Sequence, residues 1–356
     1  MVLVLLLCDF LILPVGVWAQ DRPYPIFTAD HLDTTMKTLG PNWAGVRAAL
    51  SEFDYRIAKQ RLSRTREQLA TTMTFWRYRE REDAMGWLRA ALTQLDALDA
   101  ALWDLRAKQT GKSVYALTGL SEVKRCYTAQ TLSIDTPDNM AKQALELKQA
   151  PLIKIKLDGE LVLERLAAIS QASPKSRLIV DANEGWSPAQ LSDWLPELKA
   201  LNVALIEQPV PDTDDASLAG LNPDILLCAD ESCHTSENID TLANYYQAVN
   251  IKLDKTGGLT EGIRALKKAK DARMQVMVGC MVGSSLAMAP AYCLCESVQF
   301  VDLDGPLLVA QDRADGFTFE HGRMSQPSPF LWGLPGQYGQ QFLAKTWQHH
   351  MTEEAL

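Results

Sequence analysis

The chain has 356 residues, 47% hydrophobic and 22% charged, an ordinary globular mixture with no disordered or fibrous bias. That length exceeds the usual single domain and suits an α/β barrel carrying a smaller attached domain. A formal net charge of -9 argues against nucleic acid and anionic membrane surfaces as partners, while leaving room for a small anionic substrate drawn by local lysines or a metal.

Residues 1–20 are strongly apolar and end Val-Trp-Ala-Gln, which admits a secretory signal and export. No basic segment precedes the apolar run and Asp9 interrupts it; with Pro14 also inside, it makes a poor membrane helix. Two strands over 2–8 and 12–18 are the preferred reading. From about Asp30 to Gly119 the texture is helical. Its clearest element is a helix over 83–108, with Leu95, Leu98, Leu102 and Leu105 at helical spacing, Asp83 as N-cap and Gly111 as the stop. Strands are then expected at 126–132, 152–157, 178–180, 204–206, 225–228, 248–252, 275–278 and 298–303. Helices are expected between them at 161–171, 188–198, 239–246, 260–271 and 286–294. Eight strands alternating with crossovers of helical length predict an α/β fold of the (β/α)8 TIM-barrel type. An open doubly wound sheet is the competitor, but no GxGxxG or GxxxxGK[ST] occurs to make it a nucleotide binder. Seven cysteines, at 8, 126, 228, 233, 280, 293 and 295, form no CxxC pair. They read as buried free thiols in a reducing compartment, which places the protein in the cytoplasm.

The run Pro151-Leu-Ile-Lys-Ile-Lys-Leu-Asp158 carries two lysines two residues apart, so Lys154 and Lys156 share one face of a strand. Adjacent ammonium groups repel, which is expected to lower a lysine pKa and move it toward a neutral-pH base. A solvent-facing polar edge is the plainer alternative. Three later strands end in Asp181, Glu207 and Asp230, each one βα unit from the next. A single acidic residue after a strand is commonly a turn former or helix cap. Three on successive strands bring three carboxylates to one barrel rim, where repulsion is costly without a cation. Hard oxygen donors in that number call for Mg2+, or Mn2+, rather than zinc. Lys252 closes the next strand. Two lysines facing each other beside such a metal suit removal of a proton from a carbon next to a carboxylate. A structural salt bridge and a Schiff-base nucleophile are the other uses of Lys252.

These motifs together resemble the enolase superfamily, in its muconate-lactonising-like branch, and within it the dipeptide epimerases of the L-Ala-D/L-Glu type. The resemblance spans about 83–319. It rests on Lys154-Ile-Lys156, Asp181-Ala-Asn-Glu-Gly-Trp186, Ile206-Glu-Gln-Pro209, Ala229-Asp-Glu-Ser232, Asn250-Ile-Lys-Leu253 and Asp302-Leu-Asp304. It implies a modified (β/α)8 TIM-type barrel with an α+β capping domain. The capping domain would cover 1–120, with its first strand missing, the barrel 121–310, and a C-terminal capping segment and tail 311–356. The metal ligands would be Asp181, Glu207 and Asp230, the acid/base pair Lys156 and Lys252. Lys154 would bind the substrate carboxylate, and Asp302 and Asp304 would receive the α-amino group of a dipeptide.

The implied activity is a Mg2+-dependent isomerase of cell-wall peptide metabolism. It would carry out a 1,1-proton transfer at the α-carbon of the C-terminal residue of an Ala-Glu-like or more apolar dipeptide. The same residues also serve an o-succinylbenzoate synthase or a cycloisomerase, and a non-catalytic metal- or peptide-binding relative is the third alternative. The expected partner is that small molecule, with neither nucleic acid nor membrane, and a homo-oligomer is left open. Cys280, Met281 and Gly283 fall in a substrate-contacting stretch that often reads Gly-Cys-Met-x-Glu-[Ser/Thr] in the family. Here Gly283 replaces the glutamate, which removes bulk and charge beside the substrate.

Overall fold

The computed structural model describes residues 60–69, 82–221, 223–328 and 330–333. The strands expected at 2–8 and 12–18, the signal-peptide alternative, Cys8 and the tail beyond 333 lie outside the described residues. Two compact units divide the chain after Leu102. In the first, 60–69 is helical, and Arg66 meets Asp99 at 3.6 Å with both side chains buried. Helix α1 (Glu82–Thr110) buries Leu92, Leu95 and Leu102 along one stripe. Its described part begins at Glu82, so Asp83, expected as the N-cap, lies within the helix. Gly111, at φ 66, ends it in the left-handed region.

The second unit is built on strands. After β1 (Cys126–Tyr127), eight strands run in sequence: β2 (Gln130–Leu132), β3 (Leu152–Lys156), β4 (Arg177–Asp181), β5 (Val203–Glu207), β6 (Leu226–Ala229), β7 (Ala248–Lys252), β8 (Gln275–Gly279) and β9 (Phe300–Asp302). Each pairs parallel with the next. The helices are α2 (Val114–Thr118), α3 (Pro137–Glu146), α4 (Val162–Ala172), α5 (Pro188–Ala200), α6 (Ile239–Leu242), α7 (Leu253–Thr256), α8 (Leu259–Asp271) and α9 (Ser285–Tyr292). Two crossover helices start where the sequence supplies caps. Thr136 accepts from the Asn139 N–H ahead of Pro137, and Ser187 and Gln190 form a capping box ahead of Pro188.

Strand alternation sorts the apolar residues into two cores. Ala129, Leu152, Ile179, Leu205, Cys228, Ala248, Met277 and Phe300 fill the barrel interior as one ring. Ile153, Ile155, Leu178, Val180, Ile206, Leu227, Val249, Ile251, Val276 and Val278 point outward and pack against the helices. The ring plugs the barrel from below, so interior residues one step further along each strand sit on an apolar floor.

The barrel closes between its first and last strands. Ala129 N–H donates to the Val301 carbonyl at 2.8 Å, and Leu303 N–H donates to Thr128 Oγ1 at 2.7 Å. This seam explains a departure from the sequence expectation, in which 126–132 was one strand. The chain breaks at Thr128. β1 before the break joins a separate antiparallel sheet with β11 (Arg323–Met324), which also pairs with β10 (Phe319–Glu320). His321 and Gly322, both at positive φ, make the tight turn of that hairpin. Helix α6 stops at Leu242 and not at 246, because Asn244 Nδ2 donates to the carbonyls of Asp240 and Thr241 and satisfies them without a further turn. Helix α3 went unmarked in the sequence, although Thr136-Pro137 is a helix-start signal.

Thr128→Val should keep the shape of the seam and orphan the buried Leu303 N–H. The expected cost is about 1–3 kcal/mol, read as a lower denaturant midpoint with unchanged slope.

Candidate active site

Interior positions turn from apolar to charged at the carboxyl ends of the strands. On β3 the interior face carries Leu152, then Lys154, then Lys156. Lys156 lies in register with Asp181 on β4, and Asp181 with Glu207 on β5. Asp230 follows β6, whose Cys228 is level with Glu207. Across the barrel, Lys252 on β7 is level with Gly279 on β8, which is level with Asp302 on β9. The strands therefore deliver three carboxylates in succession and place lysines on both sides of them.

The three predicted metal ligands are buried, and ammonium groups crowd around them. Lys154 Nζ lies 3.0 Å from Asp181 Oδ2, 2.7 Å from Glu207 Oε2 and 2.9 Å from Asp302 Oδ2. Lys156 Nζ shares Asp181 Oδ2 at 3.0 Å, and Lys252 Nζ donates to Asp230 Oδ2 at 2.7 Å. Lys255 Nζ donates to both the carbonyl and Oδ1 of Asp230.

These contacts set the protonation states. Burial acts to lower Lys154, but Asp302, Glu207 and Asp181 outweigh it and hold the ammonium well above the ordinary lysine range. At Lys252 burial is likewise overcome, here by Asp230 and Glu207, and the pKa is raised. The sequence expectation that repulsion lowers a lysine of the pair therefore fails for Lys154. Its nearest charges are carboxylates, not Lys156. Burial would raise Asp230, yet Lys252, Lys255 and Lys154 keep it well below the usual carboxylate range. Asp181 is held low against burial by Lys154 and Lys156. Glu207 goes the other way. Burial and then Asp181 push it up to about 8, despite Lys154.

The donor set fits a hard cation, although the oxygens do not yet converge on a point. Among the described residues no three His, Cys, Asp or Glu side chains are arranged as the ligands of one ion, because lysines hold them. Asp302 Oδ1 is nonetheless buried without a hydrogen-bond partner, while Glu207 Oε2 is met by the Lys154 ammonium. A buried carboxylate pushed toward protonation by burial and by the charge of Asp181 is relieved by a divalent ion.

Asp304 accepts from the Thr131 N–H at 2.7 Å, and burial followed by Asp302 pushes its pKa up to about 6. Cys280 is partly buried, its pKa raised by burial and Asp302, whereas Met281 and Val282 are 57% and 66% exposed. Gly305 lies against this stretch, where a Cβ would come 2.8 Å from the Met281 carbonyl and 3.2 Å from Cys280 Sγ and Gly283 N. A Cβ at Gly283 would press on the flexible end of Met288 at 3.3 Å and meet Ala287 Cβ at 3.5 Å and the Met281 carbonyl at 3.9 Å.

A family model described as enolase C-terminal domain-like matches residues 139–330, the segment that supplies most of this site. The chain belongs to the enolase superfamily. An N-acetyl-D-glutamate racemase of a Pseudoalteromonas species is 49% identical over 67% of this chain and 75% of its own. The L-Ala-D/L-Glu epimerase of Escherichia coli K12 is 45% identical over 64% of this chain and 72% of its own. A crystal structure of a dipeptide epimerase from Cytophaga hutchinsonii, complexed with Mg and D-Ala-L-Val, matches with a TM-score of 0.63 at 30% identity, covering 68% of this chain and 69% of that one.

Several residues of this superfamily member shape the site without having been assigned a role from sequence. Asn250 Nδ2 donates to Glu207 Oε1 at 2.8 Å. Gln208, fully buried and at φ 36, accepts from the backbone N–H groups of Asp230 and Ser232, and donates to the Val210 carbonyl and Ser232 Oγ. It ties the end of β5 to the end of β6, so Glu207 and Asp230 are fixed by one side chain. Such roles depend on which strands become neighbours, and only the alternation hinted that Asn250 and Lys252 share a face.

Gly279 leaves the space that Asn250 occupies; an added Cβ would stand 2.5 Å from Asn250 Oδ1. Gly279→Ala should displace Asn250 from Glu207 and lower stability by about 1–3 kcal/mol. A cycle with Asn250→Ala checks this, because the double variant should be more stable than the sum of the single losses allows.

Proposed function

We propose that the protein is a Mg2+-dependent epimerase that moves the α-proton of the C-terminal residue of a dipeptide by two opposed lysines. The observation that carries this is the placement of Lys156 on β3 and Lys252 on β7. The two strands are four steps apart in an eight-stranded ring, on opposite sides of the carboxylate cluster. A flat α-carbon between them is open to one amine on each face. One lysine takes the proton, the electron pair of the C–H bond shifts into the substrate carboxylate, and the other lysine returns a proton to the opposite face. A divalent cation held by Asp181, Glu207 and Asp230 would neutralise the charge that develops on that carboxylate. Lys154 supplies fixed positive charge beneath it, and Mn2+ suits the same oxygens.

Asp302 and Asp304 favour a substrate with a free amino group, since Asp302 Oδ1 is buried and bare of hydrogen bonds. A second reading has its own support, because one relative at 49% identity is named as an N-acetyl-D-glutamate racemase. N-acetylglutamate and Ala-Glu share an N-acyl glutamate core and the same acidic α-proton, and differ in the acyl group, where alanyl carries an ammonium and one further carbon. Met281 and Val282, exposed beside Gly283, put apolar surface near the site, which also admits a more apolar side chain.

Solvent deuterium should enter the α-position of Ala-Glu, stop on chelation and return with added Mg2+. Lys156→Ala and Lys252→Ala should each lower epimerisation by a factor of about 100 to 10,000 while still binding Mg2+ in calorimetry. Full activity in either variant would exclude the two-lysine mechanism. Asp304→Asn should weaken use of Ala-Glu far more than of N-acetylglutamate; an equal loss on both would move the assignment to the acetylated substrate.

A further inference from the structure

The two opposed lysines are held by different means. Lys252 is buried, its side chain 8% exposed, and packing fixes it against Asp230. The Lys156 side chain is 41% exposed, so packing alone leaves its end free to swing. Two acceptors restrain it. Lys156 Nζ donates to Asp181 Oδ2 at 3.0 Å and to Asn183 Oδ1 at 2.8 Å. Asn183 is itself held, since its Nδ2 donates to Glu231 Oε1 at 3.1 Å. The backbone presents this amide by a left-handed turn, Asn183 at φ 41 and Glu184 at φ 65. Asn183 N–H donates to Asp181 Oδ1, and Glu184 N–H to the Gln208 carbonyl. Glu231 Oε2 is buried without a hydrogen-bond partner, so Glu231 spends its one directed bond on Asn183.

A neutral amine has two N–H bonds and one lone pair. With both N–H bonds given to fixed acceptors, the lone pair has one direction left. In the ammonium the third N–H points along that same direction. The group that fixes two corners of the tetrahedron therefore aims both the base and the acid form.

We infer that Asn183, locked by Glu231, is a positioning residue that aims Lys156 at one face of the α-carbon and has no counterpart among the described residues on the Lys252 side, where Nζ donates to Asp230 Oδ2. The inference rests on the two-lysine epimerase reading above. Glu231 fixes which end of the Asn183 amide faces the lysine, because a carboxylate accepts only from the NH2 end and leaves the oxygen for Nζ. The step concerned is a plain proton transfer. The α C–H bond breaks, an Nζ–H bond forms, and the electron pair stays with the substrate.

A lost aim at one lysine is a one-sided defect, which a general loss of structure would not produce. The test follows deuterium exchange into recovered substrate for each epimer of Ala-Glu separately, with Mg2+-loaded full-length protein. Lys156→Ala first identifies which epimer Lys156 serves. Asn183→Leu should then slow exchange of that epimer by about a hundredfold while leaving exchange of the other epimer far less changed. Asn183→Asp should show the same one-sided loss, because it sets a carboxylate against Glu231. Adding Glu231→Gln to Asn183→Asp should restore the exchange, since donor and acceptor are swapped across that link and Lys156 keeps its oxygen. Equal loss on both epimers, no loss on either, or no restoration in the double variant would overturn the inference. Exchange absent from both epimers in the wild type would instead overturn the epimerase reading, and this inference with it.

Discussion

Buried carboxylates repel one another, and in this barrel five of them, Asp181, Glu207, Asp230, Asp302 and Asp304, gather at one end above an apolar floor. Nothing in such a place substitutes for water except cations and directed hydrogen bonds. Most other features of the site answer that need. Lys154 is drawn fully inside to meet three of the carboxylates, and Lys252 and Lys255 take Asp230 from two sides. Asn250 supplies an N–H donor to Glu207 where no further charge fits. Glu207, the deepest, has Lys154 on one oxygen and Asn250 on the other, and its carboxyl is still pushed toward protonation by burial. A cluster this far from neutral comfort suits a centre that binds a metal and an anionic substrate.

The same constraint accounts for which parts of the molecule could be read from the sequence. Period-two alternation in Leu152-Ile-Lys-Ile-Lys156, and carboxylates closing three apolar runs one βα unit apart, are local signals that survive folding. They located the strands and the residues that gather at the rim. Protonation is not local. That Lys154 is raised and not lowered depends on Asp302, 148 residues away in the chain, crossing the seam between β9 and β2 to reach it. The seam was likewise hidden, because Thr128 has no pattern of its own and is tied to the last strand through Leu303. Asn183 and Gln208 sat inside quoted motifs, but their work is done across strand neighbours, and sequence spacing does not reveal a left-handed φ on a residue other than glycine.

The two lysines illustrate two ways of holding a long flexible side chain to a task. Burial restricts Lys252 by denying it other places to go, with the charge balanced at Asp230. Lys156 keeps access to solvent and is confined by two acceptors. A lysine that stays in contact with water can exchange its protons readily between turnovers, and one that is enclosed is better shielded from them. The barrel thus provides unlike environments for chemically like groups, which a reversible two-sided reaction tolerates because each direction uses both.

Gly305 carries a consequence for how such a protein diversifies. Its bare Cα lets the chain after β9 press against the Met281 carbonyl, Cys280 Sγ and Gly283 N, which pins the backbone of the neighbouring loop. Met281 and Val282, on that pinned backbone, point mostly into solvent. The loop is then a rigid spine bearing two exchangeable side chains. Drift at those two positions would alter what the mouth of the barrel accepts without disturbing the carboxylates below, so substrate preference can wander during descent while the proton chemistry stays put.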